Sequence, residues 1–218
     1  MLRWYRRSAH RWLTIPANAL VDAAVQYFSG GAEYFDRDGL RGASGDVDGR
    51  LLERLLADPY YDLPPPKSTG KEHFHLGYLL DALGEVGPLG EDDVIATLTA
   101  LTARTVAREM ERWRVEEVVA AGGGTANPTL MGMLAEAAAR VKLRTTEEWG
   151  IPSRSKEAYA FALLGFLTMH GVPANVPSCT GADSPVVLGN ITPGSSPLVL
   201  PDPAPTTPNR LRIEAAGI

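Results

Sequence analysis

"VEEVVAAGGGTANPTLMGMLAEAAARVKLRT" runs from Val115 to Thr145 and decides the fold class. Val115, Val118 and Val119 form a β-branched run of strand type. Gly122, Gly123 and Gly124 interrupt it, and Asn127-Pro128 then opens "TLMGMLAEAAA", which is predicted to be a helix. Asn is a favoured N-cap, and Pro is pre-shaped for the first helical position. "VKLRT" supplies a second short strand. The alternation of strand, glycine turn, helix and strand predicts an α/β fold.

The glycine turn has chemistry to offer. Glycines let a backbone approach a ligand without interference from Cβ, and the helix start behind them offers unpaired amides and a positive dipole end. Such a turn suits phosphates or the flat face of a nucleotide. It is not a Walker A loop, because no Lys-Ser/Thr pair follows the last glycine. It is not the dinucleotide fingerprint either, since that pattern needs Gly or Ala where Asn127 stands. From these residues alone, a tight strand-to-helix turn without a ligand is an equal alternative.

Working outward, "EDDVIATLTALTARTVAREMERW" (91–113) repeats Ile95, Leu98, Leu101, Val106, Met110 and Trp113 on one side, and Glu91, Asp92 and Asp93 suit the positive end of the dipole. It reads as a core helix. "NALVDAAVQYFSGG" (18–31), the "RLLERLLADP" stretch and "KSTGKEHFHLGYLLDAL" (67–83) each predict a helix, and "SKEAYAFALLGFLTMHG" (155–171) a last long one closed by Gly171. Residues 32–49 are rich in Gly and Asp and predict a structured loop. Asp36, Asp38 and Gly39 lie there without the closing Glu of a calcium loop.

A second polar constellation, "PPPKSTGKEHF", contains Lys67, Ser68 and Thr69. Pro65 and Glu72 stand where a P-loop needs Gly and a hydroxyl, so a P-loop is rejected. A sugar or phosphate contact and a capped helix start are both open. His73 and His75 alternate like metal ligands, but no third His or Cys is near, and no metal site is expected. Glu157 begins the last helix, either complementing its dipole or orienting an active-site cation.

The 218 residues carry a net charge of -5 and 44% hydrophobic residues, enough for one sizeable domain and contrary to general nucleic-acid binding. The one cysteine, Cys179, fits a reducing compartment. No stretch reaches the roughly 20 apolar residues that cross a bilayer, and no secretory apolar region opens the chain, so neither membrane nor nucleic acid is an expected partner and the location expected is cytoplasmic. Residues 1–17, with Arg3, Arg6, Arg7, Arg11, Trp4 and Trp12, break from the acidic remainder, and 195–218 is Pro-rich, without period, and expected to be disordered.

Read in order, "YFDRDG", "LLADPYYDLPPPKSTGKEHF", "ATLTALTA", "GGGTANPTLM", "KEAYAFALL" and "NVPSCTGADSPVVLG" resemble the anhydro-N-acetylmuramic acid kinases over residues 18–194. The resemblance implies part of an actin/Hsp70/hexokinase-like ATPase domain, helix-rich with a small incomplete sheet. It implies ATP and Mg²⁺ as cofactors and an amino-sugar substrate, 1,6-anhydro-N-acetylmuramic acid, converted with water to N-acetylmuramic acid 6-phosphate. Gly122, Gly123 and Gly124 would lie at the nucleotide with Asn127 capping the helix behind. Glu157 would support the catalytic groups, and Lys67, Ser68, Thr69 and Asn18 would approach the sugar. The family also carries a Gly-Thr-Ser-x-Asp-Gly turn and a catalytic Asp in a first domain, and neither has a counterpart here. Where it reads Asp-Thr-Gly-Pro-x-Asn, this sequence reads Leu13-Thr14-Ile15-Pro16-Ala17-Asn18. The expectation is a truncated or frame-shifted product with little or no kinase activity. The alternative is a non-catalytic nucleotide-binding or interaction module, and a homodimer through exposed sheet or helices stays open.

Overall fold

The computed structural model describes residues 2–3, 12–13, 17–64, 67–177, 182–204, 206 and 208. Along the chain, β1 (Leu2–Arg3) and β2 (Trp12–Leu13) pair antiparallel, followed by α1 (Ala19–Phe28), α2 (Leu40–Ser44), α3 (Gly49–Leu56), α4 (Leu76–Val86) and α5 (Glu91–Arg112). Then come β3 (Glu117–Ala120), α6 (Pro128–Ala137), β4 (Lys142–Thr145) and α7 (Lys156–Met169). Short 3₁₀ turns at Arg37–Gly39, Pro59–Asp62, Gly123–Ala126, Thr146–Trp149 and Ser153–Ser155 join them.

The long periodic stretch is the 22-residue α5, about 33 Å of helix at the usual rise. Its sequence marks one apolar side, but the structure buries it nearly all round, from Val94 to Met110 with few gaps. The threonines explain the difference. Thr99 and Thr105 donate their hydroxyls to Ile95 O and Leu101 O at 2.8 Å, so polar residues enter the interior with their hydrogen bonds satisfied. Thr102 donates to Ala17 O at 2.8 Å and Leu98 O at 3.2 Å, which ties the start of α1 to the spine. Thr97 accepts from Asp48 N at 2.9 Å and fixes the entry to α3.

Two apolar clusters use the two halves of this spine. Leu20, Val25, Leu51, Leu55, Phe74, Leu79, Ile95 and Leu98 join α1, α3 and α4 to its first half. Ala103, Val106, Met110, Val118, Leu130 and Leu134 join β3 and α6 to its second. The strands β3 and β4 pair in parallel with Val118 opposite Leu143, as a strand–helix–strand crossover requires. The α/β reading with a small sheet therefore holds; α1, α3, α5, β3, α6, β4 and α7 lie on the predicted stretches, α4 begins only at Leu76, and the β1–β2 pair and α2 are not among the predicted elements.

Residues 32–49 hold more order than a loop. Asp36 accepts from Arg41 N and Gly42 N at 3.0 Å each, which starts the five-residue α2. That helix is too short to show a period. Arg41 then pairs with Asp92 at 2.6 Å and Glu91 at 2.8 Å, so the acidic first turn of α5 anchors α2 as well as suiting the dipole.

Gly45 shows how closely α2 and α5 meet. A Cβ there would lie 2.1 Å from the Asp92 carbonyl oxygen, a backbone atom that cannot swing aside. Gly84, on the exposed side of α4, has nothing within 4 Å of such a Cβ. Gly45→Ala is expected to cost about 1–3 kcal/mol, and Gly84→Ala to gain about 0.5–1 kcal/mol, in urea unfolding at unchanged m. Equal effects of the two would contradict this packing.

Candidate functional site

The tie between Thr102 and Ala17 O brings the start of α1 against the end of β3, and a cleft of about 870 Å³ opens between them. That is the size of a small-molecule site. One wall is α1, with Asn18, Val21 and Asp22; the floor is Thr102, Ala103 and Val106 of α5 and Leu130 of α6. The facing wall is the glycine turn from Ala121 to Ala126, and the rims are Tyr34–Asp38 and Ser153–Glu157.

Of the three glycines of the turn, Gly122 alone has a backbone conformation that calls for glycine. Gly122 has φ +96°, which a side chain rarely tolerates. Gly123 has nothing within 4 Å of a would-be Cβ. Gly124 lies against Asn18, whose Nδ2 would be 3.5 Å from an added Cβ. The cleft therefore faces backbone here. Thr125 closes the turn, donating both its N–H and its hydroxyl to Gly122 O at 3.1 and 2.8 Å.

Asn127 caps α6 as the Asn-Pro pair predicts: it is buried, and its Oδ1 accepts from Leu130 N at 2.9 Å. The 34–39 loop docks on the same spot. Thr129 donates its hydroxyl to Gly39 O at 2.8 Å, and at Gly39, with φ +70°, a Cβ would fall 2.2 Å from Asn127 Oδ1. Asn18 stands at the start of α1 without a side-chain cap bond, its amide turned to Gly124 instead.

Of the residues singled out in the sequence, Asn18, Gly122, Gly123, Gly124, Asn127 and Glu157 all line this cleft. Glu157 is exposed and 3.1 Å from Lys156, which holds its carboxyl below the ordinary range. Lys67, Ser68 and Thr69 are not brought to it. Lys67 is buried beneath the Pro59–Asp62 turn, where Nζ donates to Tyr60 O at 3.1 Å and Tyr61 O at 2.9 Å and lies 3.7 Å from Glu109. Burial lowers its pKa, and the two carbonyls take up donors that a sugar or phosphate would need. His73 pairs with Asp58 at 3.0 Å and His75 caps α4, accepting from Tyr78 N. Thr14, Pro16 and Cys179 lie outside the described residues.

The cleft also holds groups that sequence patterns do not single out. Asp22 sits in the first turn of α1, where burial pushes its carboxyl up to about 6 against a smaller opposite pull from Lys71. Its only sequence signal is a lone carboxylate in an apolar helix. Tyr34 and Phe35 are more than half exposed on the rim. Arg154 and Lys156 bring positive charge to the side where Ser153, buried, is held by Glu147. Among the described residues no group of three or more His, Cys, Asp or Glu converges on one point, and Asp36 has both oxygens engaged by α2. No helix among them is long and apolar enough to cross a membrane.

The sequence model of the anhydro-N-acetylmuramic acid kinase family matches residues 7–194, beginning inside the Arg/Trp-rich segment. An anhydro-N-acetylmuramic acid kinase of Streptomyces avermitilis is 57% identical over 201 residues, covering 92% of this chain and 52% of its own length. Its counterpart in Streptomyces coelicolor is 55% identical, with 92% and 51% covered. One from Xanthomonas campestris is 46% identical, with 83% and 48% covered. The chain thus spans about half the length of the curated relatives it matches. With the match covering most of its residues, the glycine-turn cleft included, the chain belongs to the anhydro-N-acetylmuramic acid kinase family.

Proposed function

We propose that this chain forms the glycine-turn side of an ATP-dependent amino-sugar kinase in peptidoglycan recycling. The reaction joins 1,6-anhydro-N-acetylmuramic acid, water and ATP, and yields N-acetylmuramic acid 6-phosphate and ADP. The observation that carries the reading is the convergence of Asn18, Gly122, Gly123, Gly124 and Asn127 on one cleft of nucleotide size. The fold of this reading is an actin/Hsp70/hexokinase-like ATPase domain, with residues 18–194 as its kinase portion, and the location is the cytoplasm.

Bound ATP supplies the transferable γ-phosphoryl group. This chain's part is positioning, the larger share of catalysis in phosphoryl transfer. The glycine turn lets the nucleotide lie against backbone, and Asn127 keeps that backbone rigid from behind through α6 and the 34–39 loop. Arg154 and Lys156 set positive charge against a polyanion, while Glu157 orients Lys156. Mg²⁺ would be held by the ATP phosphates together with one or two protein carboxylates, and would neutralise their charge. Asp22, on the cleft wall, is not engaged in capping α2 as Asp36 is.

The 218 residues contain no Gly-Thr-Ser-x-Asp-Gly stretch, and Leu13 stands where the family motif has Asp. Binding and turnover are therefore expected to separate. Calorimetry of the purified chain is expected to show Mg-ATP binding, and Gly123→Val to weaken it by at least about tenfold with little change in Tm, because Gly123 lines the cleft and a Cβ there meets nothing within 4 Å. Equal affinity of the variant would remove the glycine turn from the nucleotide site. Phosphorylation of 1,6-anhydro-N-acetylmuramic acid by the same chain is expected at background, and measurable product would contradict the low-turnover part.

Asp22 gives a pH signature. Its folded pKa is raised above the unfolded value of 3.8, so the native state holds the proton more tightly and stability falls as pH rises from about 4 to about 6. Asp22→Asn is expected to be more stable than the parent at pH 7, by about 1–2 kcal/mol after allowing for solvent screening, and equal to it at pH 4. A difference that does not change with pH would contradict the burial of this carboxylate.

A second reading, an interaction module, is favoured by α7. That helix is apolar nearly all round, yet Leu167 is its one buried residue, and Phe161 is 71% exposed. Helices of such composition are usually covered. In this reading α7 pairs two copies of the chain, and sedimentation velocity is expected to show a dimer that Phe161→Glu dissociates. A monomer at all concentrations would exclude it.

A further inference from the structure

The Ser153–Glu157 rim of the cleft hangs on one carboxylate outside it. Glu147 lies in the 3₁₀ turn after β4, and Gly150 at φ +72° lets the chain double back towards it. Ser153 then donates its N–H to Glu147 Oε1 at 2.9 Å and its hydroxyl to Oε2 at 2.7 Å. The Thr146 hydroxyl, 3.1 Å from Ser153 Oγ, completes the chain by donating to it. These bonds hold the Glu147 carboxyl down at about 2, so the clamp stays charged over the whole working range of pH. Ser153 is 2% exposed, which makes the clamped serine part of the interior although its holder is on the surface.

The clamp reaches the cleft through the backbone on the C-terminal side of Ser153. The Ser153–Ser155 turn runs without a break into α7, whose N-cap Ser155 makes no side-chain cap bond. The start of α7 therefore has little local fixing of its own. Arg154, Lys156 and Glu157, the charged rim beside the glycine turn, follow Ser153 directly in the chain.

We propose that Glu147 is a positioning residue for the nucleotide cleft, acting through its two bonds to Ser153 to set Arg154, Lys156 and Glu157 against the Gly122–Gly124 turn. This rests on the nucleotide reading of the cleft. Neither bond is needed for the α5 core, so the effect of losing them is local. Glu148, next in the same turn, offers the control: it accepts from Thr145 N at 3.2 Å and pairs with Arg144 at 2.7 Å, but does not touch Ser153.

The experiment measures Mg-ATP affinity by calorimetry, and amide hydrogen exchange at Ser153, for the full chain and four variants. Glu147→Ala is expected to weaken Mg-ATP about tenfold and to lose the protection of the Ser153 amide, as removal of hydrogen bonds to a charged group implies. Glu147→Gln keeps an acceptor for Ser153 N and is expected to restore both within about threefold. Ser153→Ala, which removes only the hydroxyl bond, is expected to fall between them, and it tests the clamp even if Glu147→Ala does not fold. Glu148→Ala is expected to lower Tm but leave affinity within about twofold of the parent, because it removes only a cap. If the parent binds Mg-ATP and Glu147→Ala and Ser153→Ala bind equally well, the positioning role is overturned while the nucleotide reading stands. If Glu148→Ala weakens binding as much as Glu147→Ala, the effect is general loosening and the role is again overturned. If the parent itself does not bind Mg-ATP, the nucleotide reading fails and takes this inference with it.

Discussion

The whole fold depends on a helix that can be buried all round. α5 is such a helix because its four buried threonines, Thr97, Thr99, Thr102 and Thr105, turn their hydroxyls back to carbonyls one turn earlier. A helix of only apolar residues could be buried as well, but it would lack the second partners. Thr102 holds Ala17 O and Thr97 receives Asp48 N, so the same hydroxyls that satisfy the spine fix the entries of α1 and α3. The cleft is a consequence of this arrangement: its α1 wall and its α5 floor are joined by one hydrogen bond, and its opposite wall stands on α6, which packs along the second half of α5.

Around the cleft, rigidity is concentrated behind the surfaces and not on them. Asn127 caps α6 while lying against Gly39, and Asp36 starts α2 from the same loop, so the 34–39 segment and the glycine turn share one support. What faces the cavity is left unobstructed: backbone at Gly122–Gly124, an uncommitted amide at Asn18, and a raised carboxyl at Asp22. A site that must hold a large polyanion in one orientation benefits from such preorganised walls.

Local patterns made much of this legible. The β-branched run, the three glycines and Asn127-Pro128 define a strand, a turn and a capped helix through nearest-neighbour physics, and each stands where those residues put it. The six cleft residues singled out in the sequence sit on three separate segments, and only the family resemblance pointed to their meeting. Other features depend on partners distant in sequence and left no local mark. α2 needs Asp36 and the acidic start of α5; Lys67 looks like a surface cation until Tyr60, Tyr61 and Glu109 enclose it; Glu147 and Ser153 are ordinary polar residues until Gly150 brings them together. In α7 periodicity correctly gives a helix, but composition implies a cover that no described residue of this chain provides over Phe161.

On the reading proposed for this chain, the glycine turn, the Asn18 wall and the Ser153–Glu157 rim are three sides of one nucleotide site. Titrating the ¹⁵N-labelled chain with Mg-ATP and recording its amide NMR spectrum tests all three sides at once. The largest shifts are expected at Gly122, Gly123 and Gly124, with smaller ones at Asn18 and from Ser153 to Glu157. Saturable shifts confined to Lys67, Ser68 and Thr69, or none in the cleft at millimolar Mg-ATP, would contradict it.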